Sequence, residues 1–264
     1  MMFKSLLTAI ATLCASVVPA LASSVIVPLY SWPGDSVSAC TAWTPLVSAI
    51  AAQPSLTYLV IINPNTGPGD ANTQPDPVYS GCMEQLEAPN VIFVGYVDTQ
   101  YANRASSAIL QDVATYAGWD SAYAVSGIFF DDVAATTELF SDYSGWAATA
   151  KASFNGGDGL VILNPGTGIS DNDYFTIADQ IMTSEDKYSK FSESDLTFSP
   201  TSPASQQSVI LYAAPSTVPT SIVSQLVTTD GIGSLYITDL GSSNPYASLP
   251  DNFATFVSIV AADS

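Results

Sequence analysis

The sequence predicts a single α/β domain, a parallel (β/α)8 TIM barrel, and three observations point to it. Eight short apolar runs rich in Val, Ile, Leu and Phe recur along the 264 residues. Most of them lack polar alternation, as parallel strands covered on both faces do. Segments long enough for helices separate the runs, and eight such units in about 240 residues is the usual size of one barrel. A doubly wound open sheet is the alternative, but it calls for a phosphate-binding glycine fingerprint. Gly67-Pro68-Gly69 is interrupted by proline and precedes no clean helix start.

Residues 1–22 read as a secretory signal: Lys4, an apolar core from Leu6 to Val18, and the small-residue site Ala20-Leu21-Ala22. That core is short for a membrane span. The barrel then occupies 23–264. Its expected strands are Val25–Tyr30, Tyr58–Asn63, Val91–Val97, Val125–Asp131, Leu160–Asn164, Gln180–Ser184, Val209–Ala213 and Ser234–Asp239. Helices are expected over Ser38–Ala52, Val78–Leu86, Ala105–Trp119, Ala135–Ser153, Asp171–Ala178, Ser216–Val227 and Asp251–Ala262, because cap and stop residues flank each. The sixth connection, Lys187–Gln207, offers one helical turn around Tyr188–Asp195. It then becomes Thr/Ser/Pro-rich, which reads as an exposed loop over the rim.

Composition narrows the chemistry. The formal net charge is −19, and the cations outside the leader are Arg104, Lys151, Lys187 and Lys190. Such a surface repels nucleic acid and anionic lipid. It suits an acidic secreted protein kept soluble by charge, and also a cationic ligand such as a partly deacetylated amino-sugar polymer. The chain has no histidine. Ser-His-Asp and Cys-His mechanisms are excluded, no conventional zinc site is expected, and no metal or cofactor is called for. Acid–base work falls to carboxylates, tyrosines or lysines. Cys14 lies in the leader, which leaves Cys40 and Cys82; in an oxidising compartment these are expected to pair, two separate buried thiols being the alternative.

The active face of a barrel is built from the C-terminal ends of its strands. Here those ends deliver Tyr30 and Trp32, Asn63 and Asn65, Tyr96 and Asp98, Asp131 and Asp132, Asn164, Glu185 and Asp186, Tyr212 and Asp239. Acids for chemistry, amides for hydroxyls and aromatic faces for pyranose rings make a sugar site. Gly127-Ile128-Phe129-Phe130 ends abruptly in Asp131-Asp132, two like charges that repel and resist burial. Alternation forbids both from pointing inward along the strand, but at its end one can turn into the loop. Asp131, Asp132 and Glu185 are the expected catalytic acids. Asn63-Pro64 and Asn164-Pro165 are turns in which proline keeps the preceding asparagine extended, aiming its amide at the mouth. Arg104 either binds a substrate or carboxylate oxygen or forms an ion pair with Asp98 or Asp131.

Pro28-Leu29-Tyr30, Ile61 through Gly69, Gly95-Tyr96-Val97-Asp98-Thr99 with Tyr101 and Arg104, Gly127 through Asp132, and Leu163-Asn164-Pro165-Gly166 together resemble the Spherulin-4 family, in family order. The resemblance implies a secreted or cell-surface (β/α)8 protein. It also implies an endo-acting glycoside hydrolase on α-1,4-linked N-acetylgalactosamine in galactosaminogalactan. The family's strand-4 motif is Phe-Asp-Glu with a further glutamate on strand 6; Asp131 matches the first acid, Glu185 the distant one, and Asp132 stands where the glutamate would be. Losing a methylene there shortens reach by roughly 1 Å, an error of a size that can cost about a hundredfold in rate. A second expectation follows: a carbohydrate-binding or coat protein on the same barrel, without turnover. Either way the expected partner is an amino-sugar polysaccharide, the expected state a monomer, and no nucleic acid or membrane is bound after leader removal.

Overall fold

The computed structural model describes residues 23–241 and 243–264; the expected leader lies outside the described residues. Eight parallel strands close into a barrel in sequence order. They are β1 (Ser24–Leu29), β2 (Tyr58–Ile62), β3 (Val91–Asp98), β4 (Gly127–Asp131), β5 (Leu160–Leu163), β6 (Gln180–Lys187), β7 (Gln207–Tyr212) and β8 (Ser234–Ile237). Ser24 pairs with Ser234 to seal the ring. Every apolar run picked out by composition is a strand, because β-branched and aromatic residues covered on both faces bury most area in that form.

The helices are α1 (Thr44–Ala52), α2 (Pro77–Glu84), α3 (Ser106–Ala117), α4 (Phe140–Ser153), α5 (Thr220–Ser224) and α6 (Phe253–Asp263). Four differ from expectation, and one of them, expected from Ala135, becomes α-helical only at Phe140 after the 3-10 turn Thr137–Leu139. The segment before α1 is two 3-10 turns, Val37–Ala39 and Thr41–Trp43. Pro45 explains this: without an N–H it belongs in a first turn, not the interior of a helix begun at Ser38. Asp171–Ala178 contains only the 3-10 segment Asn172–Thr176, its Asp171 side chain accepting from Asp173 N. The helix expected from Ser216 starts after Pro219 and widens into a π-helical stretch, Gln225–Asp230, which left-handed Gly231 ends. The Thr197–Pro203 loop does not arch over the rim. Gln207 Nε2 donates to the Thr197 and Ser202 carbonyls (2.9 and 3.0 Å), fastening it beside the first residue of β7.

One buried apolar core runs through all eight strands and the helix faces against them, including Trp43, Leu46 and Ile50, Ile109, Val113 and Tyr116, and Phe253, Phe256 and Val260. Gly95 shows why β3 needs a glycine. The Tyr116 ring lies flat on it, and a Cβ there would meet the ring at 2.6 Å. A Cys40–Cys82 disulfide, with Cα atoms 5.7 Å apart, ties the turn before α1 to α2. Closing a loop of that length stabilises a fold by roughly 2–4 kcal/mol.

Two features position polar groups. At the N-terminal strand ends, Gln180, Ser208 and Ser234 form a buried neutral cluster. Both hydroxyls donate to Gln180 Oε1 (2.8 and 2.7 Å), and Ser234 Oγ lies 2.7 Å from Ser208 Oγ. Further along β6 a bulge intervenes: Met182 pairs with Ser208 but Ser184 pairs with Val209, so Thr183 is an extra residue. Its hydroxyl is anchored on Gln207 Oε1 at 2.9 Å. One inserted residue flips the face of everything after it. Gln180 and Glu185 differ by an odd number of positions, yet both face inward.

Candidate active site

The cleft opens where the barrel prediction puts it, at the C-terminal strand ends. A cavity of about 250 Å³ is lined by Tyr101, Asp131, Asp132, Asn164, Pro165, Gly166, Glu185 and Tyr212. All three predicted acids therefore reach one space. Asp131 ends β4, and Asp132 turns out of the strand with a left-handed φ of 51°. That turn resolves the alternation conflict between two neighbouring acids. Glu185 reaches the cleft because the β6 bulge rotates it inward and because β6 continues to Lys187, three residues beyond its expected end.

Asn164 holds the centre together. Its Oδ1 accepts from Gly166 N at 2.9 Å, which fixes the amide's orientation. Its Nδ2 then donates to Asp131 Oδ1 and to Glu185 Oε2, each at 2.7 Å. The two carboxylate oxygens are therefore separated by at most twice 2.7 Å, about 5.4 Å. The Gly166 carbonyl accepts from Glu185 N at 3.0 Å, so the Asn-Pro-Gly turn sets both the bridging amide and the acid it bridges.

Burial, and then the facing Glu185 carboxylate, push Asp131 up to about 6, against the lowering effect of the Tyr96 hydroxyl beside it. Tyr30 stands edge-on between Tyr96 and Tyr246, with ring centroids 5.5 Å away on each side. Burial and the Asp131 and Glu185 charges hold its phenol well above the usual tyrosine value. Tyr246 donates to Glu185 Oε1. Burial, then Asp186, raise the Tyr212 phenol.

Other predicted residues sit elsewhere. Arg104 does pair with a carboxylate, but with Asp112 at 2.7 Å, and it donates to the Asp98 carbonyl at 3.0 Å. Neither Asp98 nor Asp131 supplies its partner carboxylate. Asp98 instead accepts from Gln100 N at 2.8 Å and Gln100 Nε2 at 3.3 Å. Asn63 Oδ1 accepts from Gly67 N at 2.8 Å, a turn role, so of the two Asn-Pro turns only Asn164 serves the cleft. Trp32 is exposed, tilted on Tyr79 and bonded to the Gly34 carbonyl, outside the cavity lining. Asp239 also lies outside that lining. Tyr101 and Tyr246 are the residues the strand-end survey missed. Tyr246 follows a third Asn-Pro pair, Asn244-Pro245, after β8, and that repeat was the available signal.

The sequence profile of Spherulin4, the spherulation-specific family 4, matches residues 24–260. The chain belongs to the Spherulin-4 family. Spherulin-4 of Physarum polycephalum is 32% identical over 225 residues, 81% of this chain and 62% of that protein, so this chain spans about six tenths of that relative's length. Sph3 of Aspergillus clavatus, solved in complex with GalNAc, matches with a TM-score of 0.79 at 30% identity, covering 91% of this chain and 98% of that one. A chitinase from Chromobacterium violaceum shares the barrel alone, with a TM-score of 0.59 at 14% identity over 92% of this chain and all of that one. Within the Spherulin-4 frame, no described helix is long and apolar enough to cross a membrane.

Proposed function

We propose that this Spherulin-4 protein is a secreted endo-acting glycoside hydrolase. Its substrate in this reading is an α-1,4-linked N-acetylgalactosamine polymer, cut by the Asp131–Glu185 pair with retention at the anomeric carbon. The observation that carries the reading is the shared amide of Asn164. A separation of no more than about 5.4 Å fits the roughly 5–5.5 Å of retaining enzymes. It falls short of the roughly 6.5–9.5 Å that inverting enzymes need to admit a water. In the retaining chemistry one carboxyl protonates the glycosidic oxygen as the other attacks the anomeric carbon. Water, deprotonated by the first group, then releases the sugar. That scheme needs one proton on the pair. Asp131, raised to about 6, supports a pair that holds one proton below that value and none well above it.

The substrate class rests on two supports. The fold is shared at 30% identity with Sph3, a protein crystallised with GalNAc, and the cleft is lined by three acids, one amide and two phenols. Secretion is supported by the leader-like residues 1–22 and by the disulfide.

The test is incubation of purified protein with galactosaminogalactan and with defined N-acetylgalactosamine oligomers. Shorter oligosaccharides whose first-formed reducing end is the α anomer by NMR are expected. No product, with an Asp131→Asn variant indistinguishable from the parent, overturns the reading. Azide then assigns the pair: the variant that forms a glycosyl azide of inverted configuration has lost the nucleophile.

A further inference from the structure

We infer that Tyr101 is the sugar-stacking residue of this cleft, held in place by the left-handed turn Gln100–Ala102. The inference rests on the glycosidase reading and adds to it a residue that sets how tightly the polymer is held.

Backbone conformation is the first observation. Gln100, Tyr101 and Ala102 have φ of 49°, 54° and 64°, three consecutive left-handed residues, none of them glycine. L-residues visit that region singly, at a cost of about 1–2 kcal/mol each. Such a run persists only where its surroundings over-determine it. Here they do. Tyr101 N donates to the Asp132 carbonyl at 2.7 Å. Thr99 Oγ1 donates to the Asp131 and Asp132 carbonyls (2.9 and 2.7 Å) and meets the Tyr143 hydroxyl at 3.0 Å. Asp98 caps Gln100 N, and Asn103 Nδ2 donates to the Gln100 carbonyl at 2.9 Å. The turn is thus fastened to the backbone of the two strand-4 acids and to α4.

What the strained turn achieves is the second observation. The Tyr101 ring lines the same cavity as Asp131, Asp132 and Glu185, yet it is 56% exposed. The neighbouring Asp132 carboxylate raises its phenol above the usual tyrosine value. The residue is therefore fixed at its backbone, and its ring is left largely uncovered. A rigid, uncovered aromatic face loses little freedom on binding, and it offers apolar area to the C–H face of a pyranose. Trp32, the comparably exposed ring, leans on Tyr79 outside the cavity. The backbone contact also gives Asp132 a task outside the proton-sharing pair: its carbonyl holds the turn that presents the ring.

Tyr101→Asn removes the ring while keeping a residue that tolerates the left-handed backbone, and Tyr101→Phe keeps the ring but not the hydroxyl. Both are made in the full chain and compared with the parent on N-acetylgalactosamine oligomers, reading KM and kcat from product release and Kd by calorimetry. Expected for Tyr101→Asn is a rise of about five- to tenfold in KM and Kd with kcat within about threefold of the parent. Expected for Tyr101→Phe is recovery of most of that loss. An unchanged KM and Kd in Tyr101→Asn, while the parent still cleaves, overturns the inference and leaves the proposed function standing. A collapse of kcat at constant KM also overturns it. A parent that neither binds nor cleaves the oligomers removes both readings together.

Discussion

The barrel holds a polar cluster at each end, buried at one and open to a cleft at the other, and the two are built on opposite principles. At the N-terminal end, Gln180, Ser208 and Ser234 are neutral, buried and mutually satisfied. At the C-terminal end, Asp131 and Glu185 share a single amide donor and face each other as like charges. The first arrangement lowers the energy of the fold. The second raises it and keeps a proton available near pH 6. Two strands, β6 and β7, contribute to both ends, so the contrast lies in the side chains and not in the scaffold.

Breaking the upper cluster has the largest expected effect. Under the proposed retaining chemistry Asp131→Asn and Glu185→Gln each remove a member of the pair and should each lower turnover about a thousandfold or more. Oligosaccharide release measures this. Asn164→Ala comes next. It keeps both acids but removes the amide that fixes their spacing, and a loss of about a hundredfold in kcat is expected with little change in melting temperature.

The pH dependence then separates the two ends. A carboxyl raised in the folded state binds more protons folded than unfolded. Stability should therefore fall as pH rises from about 4 to about 6, by at most about 3 kcal/mol. Denaturant titrations across that window should show the slope in the parent and its flattening in Asp131→Asn, which gains stability at pH 7 as it loses activity. Activity should decline above about 6 as the shared proton leaves.

The lower cluster predicts the reverse pattern. Gln180→Ala strands two buried hydroxyls and should cost about 1–3 kcal/mol while leaving kcat unchanged. Smallest of all, Ala102→Gly should add about 1 kcal/mol by relieving left-handed strain, with product release unaffected.

How far the sequence foresaw this depends on the kind of signal. Eight apolar runs and the absence of a phosphate fingerprint were enough for the barrel, because strand burial depends on composition over several residues. Asp131, Asp132 and Glu185 were readable as strand-end acids. The Asn164 bridge was readable only in part: proline after asparagine predicts an extended, inward amide, but the same words at Asn63-Pro64 produce a turn closed on Gly67. Which one meets the acids depends on neighbours from β4 and β6. Arg104 found Asp112 on α3, a helical partner no strand-end survey would propose. Tyr246 arrives from the far end of the chain, 61 residues beyond Glu185. Left-handed backbone at Gln100–Ala102 leaves no mark in residues that are not glycine.

The bulge at Thr183 separates what a residue is from where it points. An in-frame loss of that one codon would leave every acid in the protein, with the same net charge and the same motif spelling. It would nonetheless turn Glu185 through the barrel wall to the outside. Alignments that score only letters would call such a chain an intact enzyme. Among natural variants, the length of the stretch from Gln180 to Glu185 is thus as diagnostic of a working cleft as the glutamate itself.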